Sequence, residues 1–129
     1  MGVLKAKHWK TYGARAEFEV NLAAQNSGVM EMGSKHNRNA IRLVQEAYNL
    51  IKLRRLPSSF PGITEFGVYD LNTTDCIGKF QEFYFLTFQD GRAGKETIMK
   101  MDEILVEIEI ENTHYKPPIE RPGDIIWGL

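Results

Sequence analysis

Between residues 14 and 22 the chain alternates without a break, Ala14, Ala16, Phe18, Val20 and Leu22 against Arg15, Glu17, Glu19 and Asn21. A period of two over nine residues predicts a half-buried strand, while the alanines also admit a helix. Gln25-Asn26-Ser27-Gly28 reads as a turn and Val29–Met32 as a short returning strand. Gly33-Ser34 then opens the clearest helix, with Ser34 as its N-cap and Ala40, Ile41, Val44, Ala47, Tyr48 and Ile51 as its apolar stripe. Leu43, Leu50 and Leu53 widen that stripe, and Arg54 and Arg55 sit where they favour the negative helix end. Pro57, Pro61 and Gly62 make the loop that follows.

Beyond the loop the pattern predicts an antiparallel meander. Ile63–Leu71 reads as a strand, Asn72–Asp75 as a turn, and Cys76–Gln89 as a long strand. Asp90–Gly94 reads as a hairpin loop leading into a last strand, Lys95–Glu111. That strand sets Ile104, Val106, Ile108 and Ile110 against Glu103, Glu107, Glu109 and Glu111, although Glu96–Asp102 also fits a helical turn. No internal repeat, low-complexity tract or linker is evident. The expectation is therefore an α+β domain over 1–111, about five strands in β-β-α-β-β-β order with one long helix across the sheet. A proline-containing arm over 112–129 follows, ending in Ile125, Ile126, Trp127 and Leu129.

The central strand presents Tyr84, Leu86 and Phe88 on one face and Phe83 and Phe85 on the other. A sheet apolar on both faces needs cover on both, and one helix covers only one. Phe83, Phe85 and the apolar end of the arm are thus the expected oligomer interface, with Trp127 buried either on the uncovered sheet face or, given that face's extent, on a neighbouring subunit.

Composition refines this picture in three places. At 129 residues, 43% hydrophobic and 26% charged, the chain has material for one globular domain. A single cysteine, Cys76, excludes an internal disulfide framework and any cysteine-cluster zinc site, and points to a reducing, cytoplasm-like compartment. No membrane span or secretory leader is read, so a membrane partner is not expected. Finally, the net charge of −1 hides an asymmetry. Residues 1–55 carry ten cations against four anions, net +6, and residues 56–129 six against thirteen, net −7.

The basic half contains the candidate chemistry. Ser34, Lys35, His36, Arg38 and Arg42 gather at a helix N-terminus, where unpaired N–H groups and the helix dipole favour an anion. Lys35 and Arg38 oppose that dipole unless a carboxylate or phosphate neutralises them. Lys7, Trp9 and Lys10 interleave charge with an aromatic ring in a way that could track phosphates and stack a base. Catalytic signatures are missing: His8, His36 and His114 stand apart, and there is no phosphate-binding loop or nucleophile elbow. Gly91-Arg92-Ala93-Gly94 fits a hairpin better than a nucleic-acid-binding loop. No catalytic residue, metal or cofactor is expected.

Three functions fit these residues. The first is a non-catalytic assembly module that binds itself, of the kind common in multi-subunit particles such as viral ones, an analogy of fold alone. The second is a binder of nucleic acid or a phosphate-bearing ligand through the basic helix start. The third is a small-ligand binder or enzyme with an aromatic pocket under Phe83, Phe85 and Trp127.

Overall fold

The computed structural model describes residues 2–114, and among them it contains four α-helices and no sheet. Helix α1 is Ala14–Ala23, α2 Arg38–Arg55, α3 Leu71–Phe83 and α4 Lys95–His114, with a 3-10 turn at Lys7–Lys10 ahead of them. The expected α+β architecture is therefore overturned, and of its strands only one antiparallel bridge remains, between Met30 and Ala93. Helix α2 is the hub, packing against α1, α3, α4 and the 3-10 turn.

Each misplaced strand has a physical reason. In α1 the buried residues are Ala16, Val20, Asn21 and Ala23, a helical stripe of mostly small side chains, whereas Phe18 is turned to solvent. The alternation of large residues was thus coincidental, and the alanines carried the signal. In α4 the buried apolar residues are Ile98, Met101, Ile104, Leu105 and Ile108, the three-and-four recurrence of one helical face. Ile110, assigned to the buried face of a strand, is half exposed. The Glu, Lys, Met and Leu residues between the β-branched ones favour helix, and tertiary packing of the stripe settles the matter.

The turn read at Asn72–Asp75 is instead the first turn of α3. Asp70 is its N-cap, its carboxylate accepting the Thr73 N–H at 2.9 Å and the Thr73 hydroxyl at 2.8 Å. Helix α2 buries the expected stripe from Ala40 to Ile51, but Leu53, expected to widen it, is exposed, and the helix begins later than Ser34. Its N-cap is Asn37, whose side-chain oxygen accepts from Asn39 N–H and Ala40 N–H.

Two loops of unequal length are held by the same device, a repeat that escaped the sequence reading. Gln45 on α2 and Gln81 on α3 are both fully buried. The Gln45 carbonyl oxygen accepts the Gly67 N–H at 2.8 Å, and its amide donates to Thr73 Oγ1 and to the carbonyls of Glu65 and Val68. The Gln81 carbonyl oxygen accepts the Gly91 N–H at 2.8 Å, and its amide donates to Thr97 Oγ1 and the Arg92 carbonyl, each at 2.9 Å. Each glutamine therefore ties a loop glycine to a threonine six residues further on, in the next helix.

The sequence around both is related: Val44-Gln45-Glu46-Ala47-Tyr48-Asn49-Leu50 against Phe80-Gln81-Glu82-Phe83-Tyr84-Phe85-Leu86. Both glycines have positive φ, 92° and 78°. Gly91 is also a close approach, since a Cβ there would lie 2.6 Å from the Thr74 carbonyl oxygen. The Tyr69 hydroxyl donates to the Gly91 carbonyl at 2.7 Å and so joins the two clasped loops.

The N-terminal segment is stapled to α4 by carboxylates. Asp102 Oδ1 accepts the N–H groups of Lys5 and Ala6 and the indole N–H of Trp9, all within 2.9 Å. Glu109 accepts the N–H groups of Lys7 and His8.

Replacing Gln81 by Leu keeps the volume but leaves the Gly91 N–H, the Arg92 carbonyl and Thr97 Oγ1 without partners. At about 1–3 kcal/mol for each buried group left unsatisfied, Gln81→Leu is expected to cost roughly 2–5 kcal/mol. Calorimetry should show a melting temperature lower by on the order of 10 °C. Gln25→Leu, at an exposed position, should melt close to wild type.

Candidate functional site

The basic start of α2 proves to be answered from within the fold. The Asn37 N–H donates to Glu19 Oε1 of α1 at 2.7 Å, so a carboxylate already sits at the positive end of the helix. The other Glu19 oxygen faces Arg15 at 3.5 Å. Ser34 belongs to the preceding turn, its hydroxyl oxygen accepting the Glu31 N–H at 3.4 Å. His36 Nε2 lies 2.8 Å from the Gly28 carbonyl, and its Nδ1 is buried without a hydrogen-bond partner.

Arg38 is exposed, with its guanidinium close enough to Gly67 that a Cβ there would lie 3.2 Å from it. Arg42 pairs with Glu46 at 2.7 Å and stacks its guanidinium over the Tyr12 and Phe66 rings. In the N-terminal segment Lys10 pairs with Glu17 at 2.8 Å, while Lys7 is exposed. Trp9 is fully buried, so its ring has no free face on which a base could stack. Lys35 and His36 border a depression of about 510 Å³ that also contains Arg15, Phe18, Leu22 and Glu19, so its charge is mixed.

A larger concavity lies elsewhere, along α4. A groove of about 990 Å³ runs beside α4, between the N-terminal segment and the loop joining α3 to α4. Its α4 side presents Met99, Lys100, Glu103, Val106 and Glu107, one helical face. Met99 and Val106 are partly buried against the core, and Leu86, at 8% exposure, extends the apolar floor. Glu96 fixes the wall: its carboxylate accepts the Thr87 N–H at 2.9 Å and the Phe88 N–H at 3.3 Å. The Thr87 N–H bond, opposed by burial, holds the Glu96 carboxyl below its ordinary range.

At the mouth of this wall stands an aromatic end of α3. The helix closes with the Leu86 N–H donating to the Gln81 carbonyl at 2.9 Å and the Phe85 N–H to the Glu82 carbonyl at 3.1 Å. This is the Schellman arrangement, whose left-handed residue is ordinarily glycine. Here it is Phe85, at φ 55°, with 88% of its surface exposed. Phe88 is 67% exposed and Phe83 40%, the latter edge-on to Phe60 and Tyr84. The sequence singled out Phe83 and Phe85 as one face of a strand; the structure brings both to the surface at a helix end. Ile125, Ile126, Trp127 and Leu129 lie outside the described residues.

The described residues contain no group of three His, Cys, Asp or Glu side chains placed to hold a metal ion. Cys76 is buried, its thiol pushed up first by that burial, and its sulfur lies 3.4 Å from the Pro61 carbonyl oxygen. No helix among the described residues is long and apolar enough to cross a membrane. Compared with family models, curated proteins and solved structures, the chain matches none.

Glu96 supplies a pH test of the groove wall. Its folded-state pKa is below the unfolded one, so its contribution to stability is present above the unfolded value and lost as pH falls through the folded value. The Thr87 and Phe88 amide NMR signals should titrate with a midpoint below about pH 4.3, the ordinary glutamate value. Glu96→Gln should remove that titration. A midpoint at or above the ordinary value would mean the carboxylate does not hold the loop.

Proposed function

We propose that this chain is a non-catalytic binding and assembly module that associates with further copies of itself, using the aromatic end of α3 as its contact. The observation that carries this reading is Phe85. An aromatic side chain in left-handed backbone costs roughly 1–2 kcal/mol relative to glycine at the same place. It recovers nothing by burial, because the ring is 88% exposed. Strain kept at an exposed large apolar residue is the expected mark of a contact made outside the monomer. Phe88 and Phe83, within three residues of it in the chain and also exposed, add apolar surface suited to a hydrophobic interface.

A buried single thiol fits a reducing compartment. The alternative, binding of nucleic acid or phosphate at the α2 start, loses its main support, because Glu19 already answers the helix end there. A metalloenzyme reading has no set of three metal-ligating side chains to rest on among the described residues.

Phe85→Gly is the decisive variant. It should raise the stability of the isolated fold by up to about 1 kcal/mol, since glycine adopts the left-handed conformation freely. The same change should weaken self-association. Sedimentation at ~100 μM, above ordinary weak dissociation constants, is expected to show wild type larger than a 14.8 kDa monomer and the variant shifted toward monomer. A monomeric wild type, or a variant of unchanged mass, overturns the proposal.

A further inference from the structure

The face of α4 turned away from the core is apolar along much of its length. At about 100° per residue, Met99, Glu103, Val106 and Ile110 fall within one narrow sector of the helix. That sector lies roughly opposite the core stripe of Met101, Leu105 and Ile108. Met99 and Val106 line the groove, only partly covered, and Ile110 is 50% exposed. Steps of four, three and four residues are those of a seam along which two helices pair. Lys100 and Glu107 border the seam on one flank. We propose that this face binds the same face of a second copy, the two α4 helices lying antiparallel about a two-fold axis. The inference rests on the self-association proposed above and adds to it a second contact of defined register.

Charge order identifies the occupant. Along the flank the cation comes first and the anion second, so its natural complement is the same flank reversed. Matching the two seams places Met99 level with Ile110 of the second copy and Glu103 level with Val106 of the second copy. Both pairs share the midpoint of Lys95–His114, so the helices overlap along their whole length. At about 1.5 Å per residue, Lys100 then stands within about 3 Å in height of Glu107 of the second copy. The two-fold axis keeps like flanks on the same side, so these opposite charges face each other twice in each pair.

The remaining groups fit this arrangement. Lys100 lies 3.6 Å from Glu103 of its own chain, so each Glu103 enters the interface with a cation beside it. Phe88 lines the groove at the first turn of α4, where Glu96 accepts its N–H. That is close to the height at which Ile110 of the second copy arrives. A parallel pair would set Glu103 level with Glu103 and turn Glu107 toward Glu109 of the second copy, like charges at both places.

The test uses the full chain, with mass read by sedimentation at low salt. Lys100→Glu alone and Glu107→Lys alone each set like charges together twice, and each should weaken self-association by roughly tenfold or more. An equimolar mixture of the two variants should associate again, because every repelling charge in one meets its opposite in the other. Cross-linking gives the direction. Met99→Cys mixed with Ile110→Cys should form an intermolecular disulfide on mild oxidation, Cys76 being buried. Either variant alone should not, since its two thiols stand about 16 Å apart along the helices. Unchanged mass in the charge variants, no rescue in their mixture, or cross-linking of Met99→Cys alone overturns the proposal. Dissociation by Phe85→Gly without any response to charge reversal keeps the aromatic contact and refutes this one. Charge reversal with rescue, in a chain indifferent to Phe85→Gly, does the opposite.

Discussion

Two buried carboxamides hold this fold open in the right places. A loop that runs through a helical protein must find partners for its N–H and C=O groups, because an unpaired buried one costs as much as several favourable contacts return. Gln45 and Gln81 supply those partners from helix interiors, each offering an acceptor to a loop glycine and donors to a carbonyl and a threonine hydroxyl. The glycines adopt positive φ to turn their N–H groups inward. The second clasp also fixes the Gly91 end of the segment that carries Phe85, Phe88 and the groove wall. Glu96 fixes the other side of that segment from the first turn of α4.

The charge asymmetry also finds its place in this architecture. Arg55 at the end of α2 meets Glu111 near the end of α4 at 2.5 Å, and Arg54 donates to the Asn112 side chain at 3.2 Å. Acidic residues of α4, Asp102 and Glu109, gather the backbone N–H groups of the basic N-terminal segment. The two halves of opposite charge thus answer one another partly inside one molecule. Exposed pairs of this kind add little stability, and their effect is on how the elements are oriented.

Legibility in the sequence was uneven for identifiable reasons. The apolar stripe of α2 could be read because its large residues fall on one side at helical spacing. Helices α1 and α4 could not, since their large residues alternate by accident: Phe18 and Ile110 are solvent-facing members of stripes that otherwise bury Ala16, Val20, Ile104 and Ile108. Asp70 three residues before Thr73 was a capping signal that the Asn-Thr-Thr-Asp composition disguised as a turn. The clasp repeat was present in plain view, as two related segments centred on Gln45 and Gln81, each followed by a glycine and, six residues later, a threonine. The insertion of a longer loop in the first copy hid the common spacing. Of the candidate site, Phe83 and Phe85 were found from the wrong geometry. The groove was missed, because a face of α4 is invisible to a reading that made the segment a strand.

Amide hydrogen exchange at Gly67 and Gly91 tests the clasps most directly. If the two carboxamides hold the loops as tightly as a helix holds its own backbone, both N–H groups should exchange only through global unfolding, in step with the core of α2. Rapid exchange at Gly67 and Gly91, matching the exposed loop amides beside them, would show that the loops open locally and that the clasps do not govern the fold.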